Sequence, residues 1–109
     1  MPASISGSTQ DKVFKALADP TRREILHLLR RHRLSVGELA SNFDVSRPAI
    51  SKHLRQLRAA GLVRDRVQGT TTMCELNAEP LKAVDLWLNE YKAFWNRSLQ
   101  RLKDLMEKE

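Results

Sequence analysis

Arg47, Ser51, Lys52, Arg55 and Arg58 fall within twelve residues that contain no acid. Among them stand Ile50, Leu54 and Leu57 at i, i+4 and i+7, the spacing of one buried helical stripe. A helix seated by that stripe turns guanidinium, hydroxyl and ammonium groups outward. Arginine can bond guanine through two hydrogen bonds, serine can bond either purine, and lysine or arginine can take a phosphate oxygen. That is the chemistry of reading a DNA major groove. The same pattern also describes an ordinary core helix with a solvated basic face.

The distribution of charge bears on that choice. The chain has 109 residues and a formal net charge of +6. Residues 1–19 balance at zero, residues 20–68 hold eleven bases against four acids, and residues 69–109 hold six against seven. All of the excess therefore lies on the segment that carries the basic helix, as on a polyanion-binding face with a neutral support. This favours double-stranded DNA as a partner over mere solvation.

Two helix starts position the basic face. Ser35 and Glu38 form a capping box for a first helix, α3, which runs on from Val36. Ser46 caps the second, α4, over about 46–60, and Pro48 in its first turn needs no donated hydrogen bond. Only Asn42 to Val45 separates them, the short connection of a helix-turn-helix. Upstream, Asp11 to Ala18 predicts a short helix, α1, with Val13, Phe14 and Leu17 on one side. Asp19-Pro20 then opens α2, which continues to about Arg31 with Ile25, Leu28 and Leu29 as its stripe. His27 beside those leucines reads as a half-buried neutral imidazole. The basic cluster Arg30, Arg31, His32 and Arg33 suits a helix C-terminus. Residues 1–10, rich in Ser and Thr, read as a disordered tail without the features of a signal peptide, and residues 11–109 as one domain.

After α4, Gly61 and Leu62 fit a Schellman cap. Strand-like residues follow over 63–68 (β1) and 71–76 (β2), joined at Gly69-Thr70, which makes a hairpin wing directly behind α4. Arg64 and Arg66 share one face of it. They suit phosphate or minor-groove contact, with Gly69 and Thr70 at the tip, and equally suit edge charges that deter strand pairing.

Asn77-Ala78-Glu79-Pro80 opens a last helix, α5, over about 79–107, with Asn77 as its N-cap and an early acid and proline behind it. Some 28 residues at ~1.5 Å rise give a rod about 40 Å long. A compact domain of this length has a radius of gyration of only ~13 Å. The rod carries Leu81, Val84, Leu88, Tyr91, Trp95 and Leu102 at steps of three, four and seven, and no single protomer of this size can cover that stripe. The expectation is a homodimer, with these residues and Val13 of α1 at its interface.

With these elements placed, the chain resembles the ArsR/SmtB family of bacterial winged-helix repressors. The likeness rests on Ala16-Leu17-Ala18-Asp19-Pro20-Thr21-Arg22-Arg23-x-Ile25-Leu26, on Glu38-Leu39-Ala40, on Ser46-x-x-x-Ile50-Ser51-x-His53-Leu54-x-x-Leu57 and on Ala60-Gly61-Leu62-Val63. It implies a mainly α winged helix-turn-helix in the order α1-α2-α3-α4-β1-β2-α5, dimeric through its terminal helices. It also implies base contacts from Arg47, Pro48, Ser51 and Lys52. Pro48 stands where the family has a polar residue and offers only apolar contact, for instance to a thymine methyl. His53 matches the family's His-Leu pair in a supporting or phosphate-contacting place.

The family's metal chemistry does not carry over. Its thiol sensors place Cys-x-Cys in the helix that here reads Glu38-Leu39-Ala40-Ser41-Asn42, and its zinc sensors use Asp and His on the last helix, which here has no His. His27, His32 and His53 have no i, i+4 partner, so no metal or other cofactor is expected. The single cysteine, Cys74, excludes an intrachain disulfide and reads as a small inward-facing hydrophobe of β2. With no apolar run of the ~18 residues a membrane span needs, the expected location is the cytoplasm. No Gly-rich phosphate loop and no nucleophile beside a base points to an enzyme. The reading is a sequence-specific dimeric repressor with DNA-contacting residues Arg47, Pro48, Ser51, Lys52, Arg55, Arg64, Arg66, Gly69 and Thr70, and with no legible effector. The same module gated by a ligand or partner at the aromatic seam, or a sequence-indifferent DNA-compacting protein, are the alternatives.

Overall fold

The computed structural model describes residues 8–108. The order is α1 (Thr9–Leu17), α2 (Pro20–Arg31), α3 (Val36–Ala40), α4 (Arg47–Ala59), β1 (Val63–Gln68), β2 (Thr71–Leu76), a 3-10 turn (Glu79–Leu81) and α5 (Lys82–Glu107). The tail expected over 1–10 lies outside the described residues up to position 7, but its last three residues are ordered. Ser8 is the N-cap of α1, its Oγ accepting the Asp11 N–H at 3.2 Å. A serine directly before a helix is a cap rather than the end of a loose segment.

The Asp-Pro-Thr-Arg-Arg stretch makes the elbow between α1 and α2. Asp19 Oδ2 accepts the Arg22 N–H at 3.1 Å, and Pro20 sits in the first turn. Arg22 and Arg23 then reach back to the exposed end of α1. Arg22 donates from Nε to Ala16 O at 2.7 Å and from Nη2 to Lys15 O at 3.0 Å, while Arg23 Nη1 bonds Leu17 O at 2.7 Å. Guanidinium groups thus bond three carbonyls at the helix end, those of Ala16 and Leu17 and that of Lys15, which also accepts the Ala18 N–H at 3.3 Å.

On α2 the buried residues are Ile25, Leu26 and Leu29, with Leu28 only partly covered. Leu26, rather than Leu28, thus takes the inner flank, and His27 is exposed, not half-buried as expected. At ~100° per residue, His27 stands about 200° from Ile25, on the far side of the helix.

Both bonds of the Ser35–Glu38 capping box are present, at 3.1 and 2.9 Å. α3 ends at Ala40, because Ser41 Oγ and Asn42 Nδ2 both turn back to Glu38 O. The connection to α4 is therefore two residues longer than Asn42 to Val45. Ser46 Oγ caps α4 through the Ala49 N–H, and Ile50, Leu54 and Leu57 are wholly buried.

α4 ends in the expected Schellman motif: Leu62 N–H bonds Leu57 O and Gly61 N–H bonds Arg58 O, both at 2.9 Å. Gly61 has φ 76°, and a methyl group there would meet Pro80 Cγ at 3.3 Å. Gly61→Ala should therefore cost about 1–2 kcal/mol, as left-handed backbone plus a tight contact. A lower urea midpoint at unchanged m-value would register it.

The wing is antiparallel, paired from Val63↔Leu76 to Gln68↔Thr71. Gly69, at φ 63°, takes the first central place of its two-residue turn, as a type II′ turn requires. The segment between α2 and α3 adds a bridge that the sequence did not reveal: Leu34 exchanges both backbone hydrogen bonds with Cys74, at 3.1 and 2.7 Å. Asn77 also differs from expectation. It is not the N-cap of α5: its Oδ1 accepts the Glu79 N–H at 3.4 Å at the start of the 3-10 turn, while its Nδ2 bonds Gly61 O at 2.8 Å and fastens the wing's exit to the end of α4. The chain then enters α5 through the 3-10 turn, without a side-chain cap.

The core joins α1 to α4 and the root of the wing, from Val13 through Leu39 and Leu54 to Leu62 and Cys74. α5 contributes no buried residue and projects from this body. The radius of gyration is 18.5 Å and the extents are 62 × 40 × 25 Å, against the ~13 Å radius of a compact chain of this length.

Candidate nucleic-acid interface

Arg47, Pro48, Lys52 and Arg55 are exposed along the outer side of α4, and Ser51 is half-buried between them. Arg47 leans back over the start of α3, where a methyl group on Gly37 would lie 3.7 Å from its Nη1. Arg58, which the helical pattern grouped with these cations, is engaged elsewhere. Its Nη2 lies 2.9 Å from Asp65 Oδ1 and 3.8 Å from Cys74 Sγ. The outward row on α4 is therefore three cations, not four, and Arg58 instead ties the helix to the wing. The sequence signal for that tie was slight: Asp65 is the one acid between residues 45 and 74.

His53 supports the helix from the other side. Its Nδ1 lies 3.4 Å from Arg22 Nη1 and 3.8 Å from Asp19 Oδ2. Partial desolvation pushes the Asp19 carboxyl up, but the Arg22 N–H it accepts and the charges of His53 and Arg22 outweigh this and hold it below the usual carboxylate range. α4 is thus braced at the elbow by His53 and at the wing by Arg58.

On the wing, Arg64 and Arg66 share a face as expected. Both approach Glu75, at 3.8 and 3.4 Å, and Arg33 joins from the end of α2 at 3.1 Å. Three guanidinium groups around one carboxylate leave a net positive patch on the wing, on the face opposite the Asp65 and Cys74 side chains that Arg58 of α4 meets. The side chains of Arg64 and Arg66 remain 62% and 54% exposed, so a phosphate can reach them. Gly69 and Thr70 stand exposed at the tip with Val67, an apolar neighbour the sequence reading passed over.

The residues assigned to a dimer seam separate into two groups. Val13 is fully buried in its own protomer's core and has no surface to offer a second chain. It points inward because α1 packs on α2 and α4 through that side. Leu81 and Val84 pack against the same core, and Leu88 is half-buried. Tyr91, Trp95 and Leu102 are open at 43%, 46% and 54%, together with Phe94, Leu99 and Leu105. Trp87 lies edge-on to Phe14 at 5.4 Å and tilted against Tyr91 at 4.9 Å, which fixes the root of this apolar face to α1.

Cys74 is buried as expected. Burial pushes its thiol up; Arg58 opposes that shift and Asp65 adds to it. Among the described residues, no three His, Cys, Asp or Glu side chains gather where they could hold a metal ion. None of the described helices is long and apolar enough to cross a membrane.

Comparison with known proteins agrees with this geometry. Residues 19–65 match the family model described as bacterial regulatory protein, arsR family. The HTH-type transcriptional regulator Rv2034 of Mycobacterium tuberculosis is 42% identical over 99 residues, covering 91% of this chain and 90% of that protein. The transcriptional repressor SdpR of Bacillus subtilis is 38% identical over 78 residues, covering 72% and 87%. An ArsR-like transcriptional regulator from Rhodococcus sp. RHA1 superposes with a TM-score of 0.70 at 37% identity, covering 89% of this chain and 92% of that one. The homodimeric winged helix-turn-helix DNA-binding domain Mb0332 of Mycobacterium bovis superposes at 0.62 with 25% identity, covering 79% and 82%. With its braced basic helix, basic wing and these relatives, the chain belongs to the ArsR family of bacterial regulatory proteins and is a winged-helix, DNA-binding transcriptional regulator.

Proposed function

We propose that the protein is a homodimeric repressor that binds an inverted repeat in a promoter. The observation that carries this reading is the pairing of a braced basic helix with an α5 whose apolar face, beyond its root on α1 and the core, no described residue covers. A second copy is the occupant that fits such a face. It places two α4 helices in successive major grooves, about 34 Å apart along the DNA. A dimer held there keeps other proteins off the promoter. Arg47, Ser51 and Lys52 read base edges, Pro48 gives apolar contact, and Arg55, Arg64 and Arg66 take phosphates alongside the turn at Gly69 and Thr70. The homodimeric Mb0332 and the repressor SdpR support assembly and sign respectively.

Selection of bound sites from random DNA, followed by footprinting, tests the reading. A symmetric site should emerge, and random duplex should compete poorly for the protein. Equal competition would instead mark a DNA-compacting protein. Arg47→Ala should flatten the preference at one base pair per half-site, costing about 1–3 kcal/mol there, as read from single-base operator variants. Arg66→Ala should weaken all duplexes alike and reduce the slope of log affinity against log salt by about one for each phosphate no longer neutralised. An unchanged base preference in Arg47→Ala would remove Arg47 from the reading set.

A further inference from the structure

Away from the proposed DNA contacts, a cavity of about 240 Å³ opens where the end of α1, the flank of α2 that carries Leu26 and the passage from β2 into α5 meet. Leu17, Leu26, Leu76 and Leu81 wall it, Arg23, His27 and Arg30 stand over it, and no acidic residue lines it. The three cations follow one line along α2, since positions three and four apart are neighbours on a helix. None of them forms an ion pair among the described residues. Arg23 is already fixed in place by its bond to Leu17 O at 2.7 Å, so its remaining donors cost little further ordering when a ligand arrives. His27, exposed against expectation, belongs to this rim.

Four leucines call for a hydrocarbon body, and three cations without an acid call for an anion. The volume lies just below the ~300 Å³ at which common ligand pockets begin, so the body is small. We propose that this notch binds a small organic acid, an aromatic or medium-chain aliphatic carboxylate. Its apolar part lies against Leu17, Leu26, Leu76 and Leu81, and its carboxylate lies among Arg23, His27 and Arg30. Carboxylate geometry suits guanidinium donors, which can engage both of its oxygens. The site needs neither the reading helix nor the exposed part of α5, so it stands apart from the proposed DNA contacts. It touches Leu76, where the wing ends, and Leu81, where the turn into α5 ends, so an occupant would contact the junction of both.

Titration calorimetry of the full chain with octanoate and with benzoate tests this, alongside octanamide, benzamide and inorganic phosphate. The expected result is saturable binding of at least one of the two acids, one per protomer, at least about fivefold tighter than its neutral amide, the scale of one exposed charge contact. Phosphate should not compete, because it has no apolar body. Arg30→Gln should weaken the acid about fivefold. The operator affinity of that variant should stay unchanged and its melting temperature should fall by no more than a few degrees, the scale of one charge at a helix C-terminus, which separates failure here from failure of the repressor reading. Absence of saturation with both acids, equal affinity for acid and amide, effective competition by phosphate, or an unaffected Arg30→Gln would each overturn the proposal.

Discussion

Trp95→Asp should yield a folded monomer whose operator affinity has fallen by about two to four orders of magnitude, the range that linking two binding modules supplies. Trp95 is 46% exposed in the protomer, and no residue of α5 is buried, so the protomer's core does not depend on it. An aspartate there is harmless in the free chain. Within a seam of facing apolar residues it must be desolvated without a partner, which costs several kcal/mol per ion on the scale known for buried charges. The two copies should then separate. Each remaining protomer keeps its half-site contacts but loses the second binding event that the partner makes local. Sedimentation analysis reads the assembly, and titration of a fluorescent operator reads the affinity. A variant that remains dimeric would place the seam away from Trp95.

Leu54→Ala acts on the fold rather than on assembly. Leu54 is wholly buried between Ile50 and Leu57, on the stripe that seats α4. Truncating a buried leucine costs about 2–5 kcal/mol, a large share of the ~5–15 kcal/mol that holds a domain together. Urea unfolding should show the midpoint falling by a corresponding amount. DNA binding should fall in step with the folded fraction, and base preference should survive in the molecules that remain folded. That pattern distinguishes Leu54 from Arg47, whose loss should change preference in a fully folded protein.

What the sequence made legible follows from the range of each interaction. Helix starts at Asp19, Ser35 and Ser46 and the helix end at Gly61 involve residues a few positions apart, and each is present as expected. The apolar stripe of α4 was equally clear, because one helix face reports its own burial. Interactions closed by the fold were not. Nothing near Leu34 in the chain announces its bridge to Cys74, and nothing near Arg33 announces Glu75. On α2 the pattern named the core-facing side, but only packing against α1 and the wing's root chose Leu26 over Leu28. Val13 was read as an interface residue for a similar reason: an apolar helix face does not say which neighbour covers it. Asn77 looked like the cap of α5 because its type and position suited one, yet a 3-10 turn intervenes: its Oδ1 meets the Glu79 N–H there while its amide bonds the Gly61 carbonyl. Within the nucleic-acid interface, the exposed row on α4 was legible, whereas the withdrawal of Arg58 to Asp65 required a partner on another element.

Arg22 places one nitrogen on each of three groups, the carbonyls of Lys15 and Ala16 and the ring of His53. A single planar cation therefore links the helix nearest the aromatic root of α5 to α4, the proposed reading helix. In the proposed dimer, the gauge between the two reading helices is then set by the protein and resists adjustment. Sites whose halves are slightly out of phase must be accommodated by twisting or bending the duplex, so the ease with which the central, untouched base steps deform becomes part of what the regulator recognises.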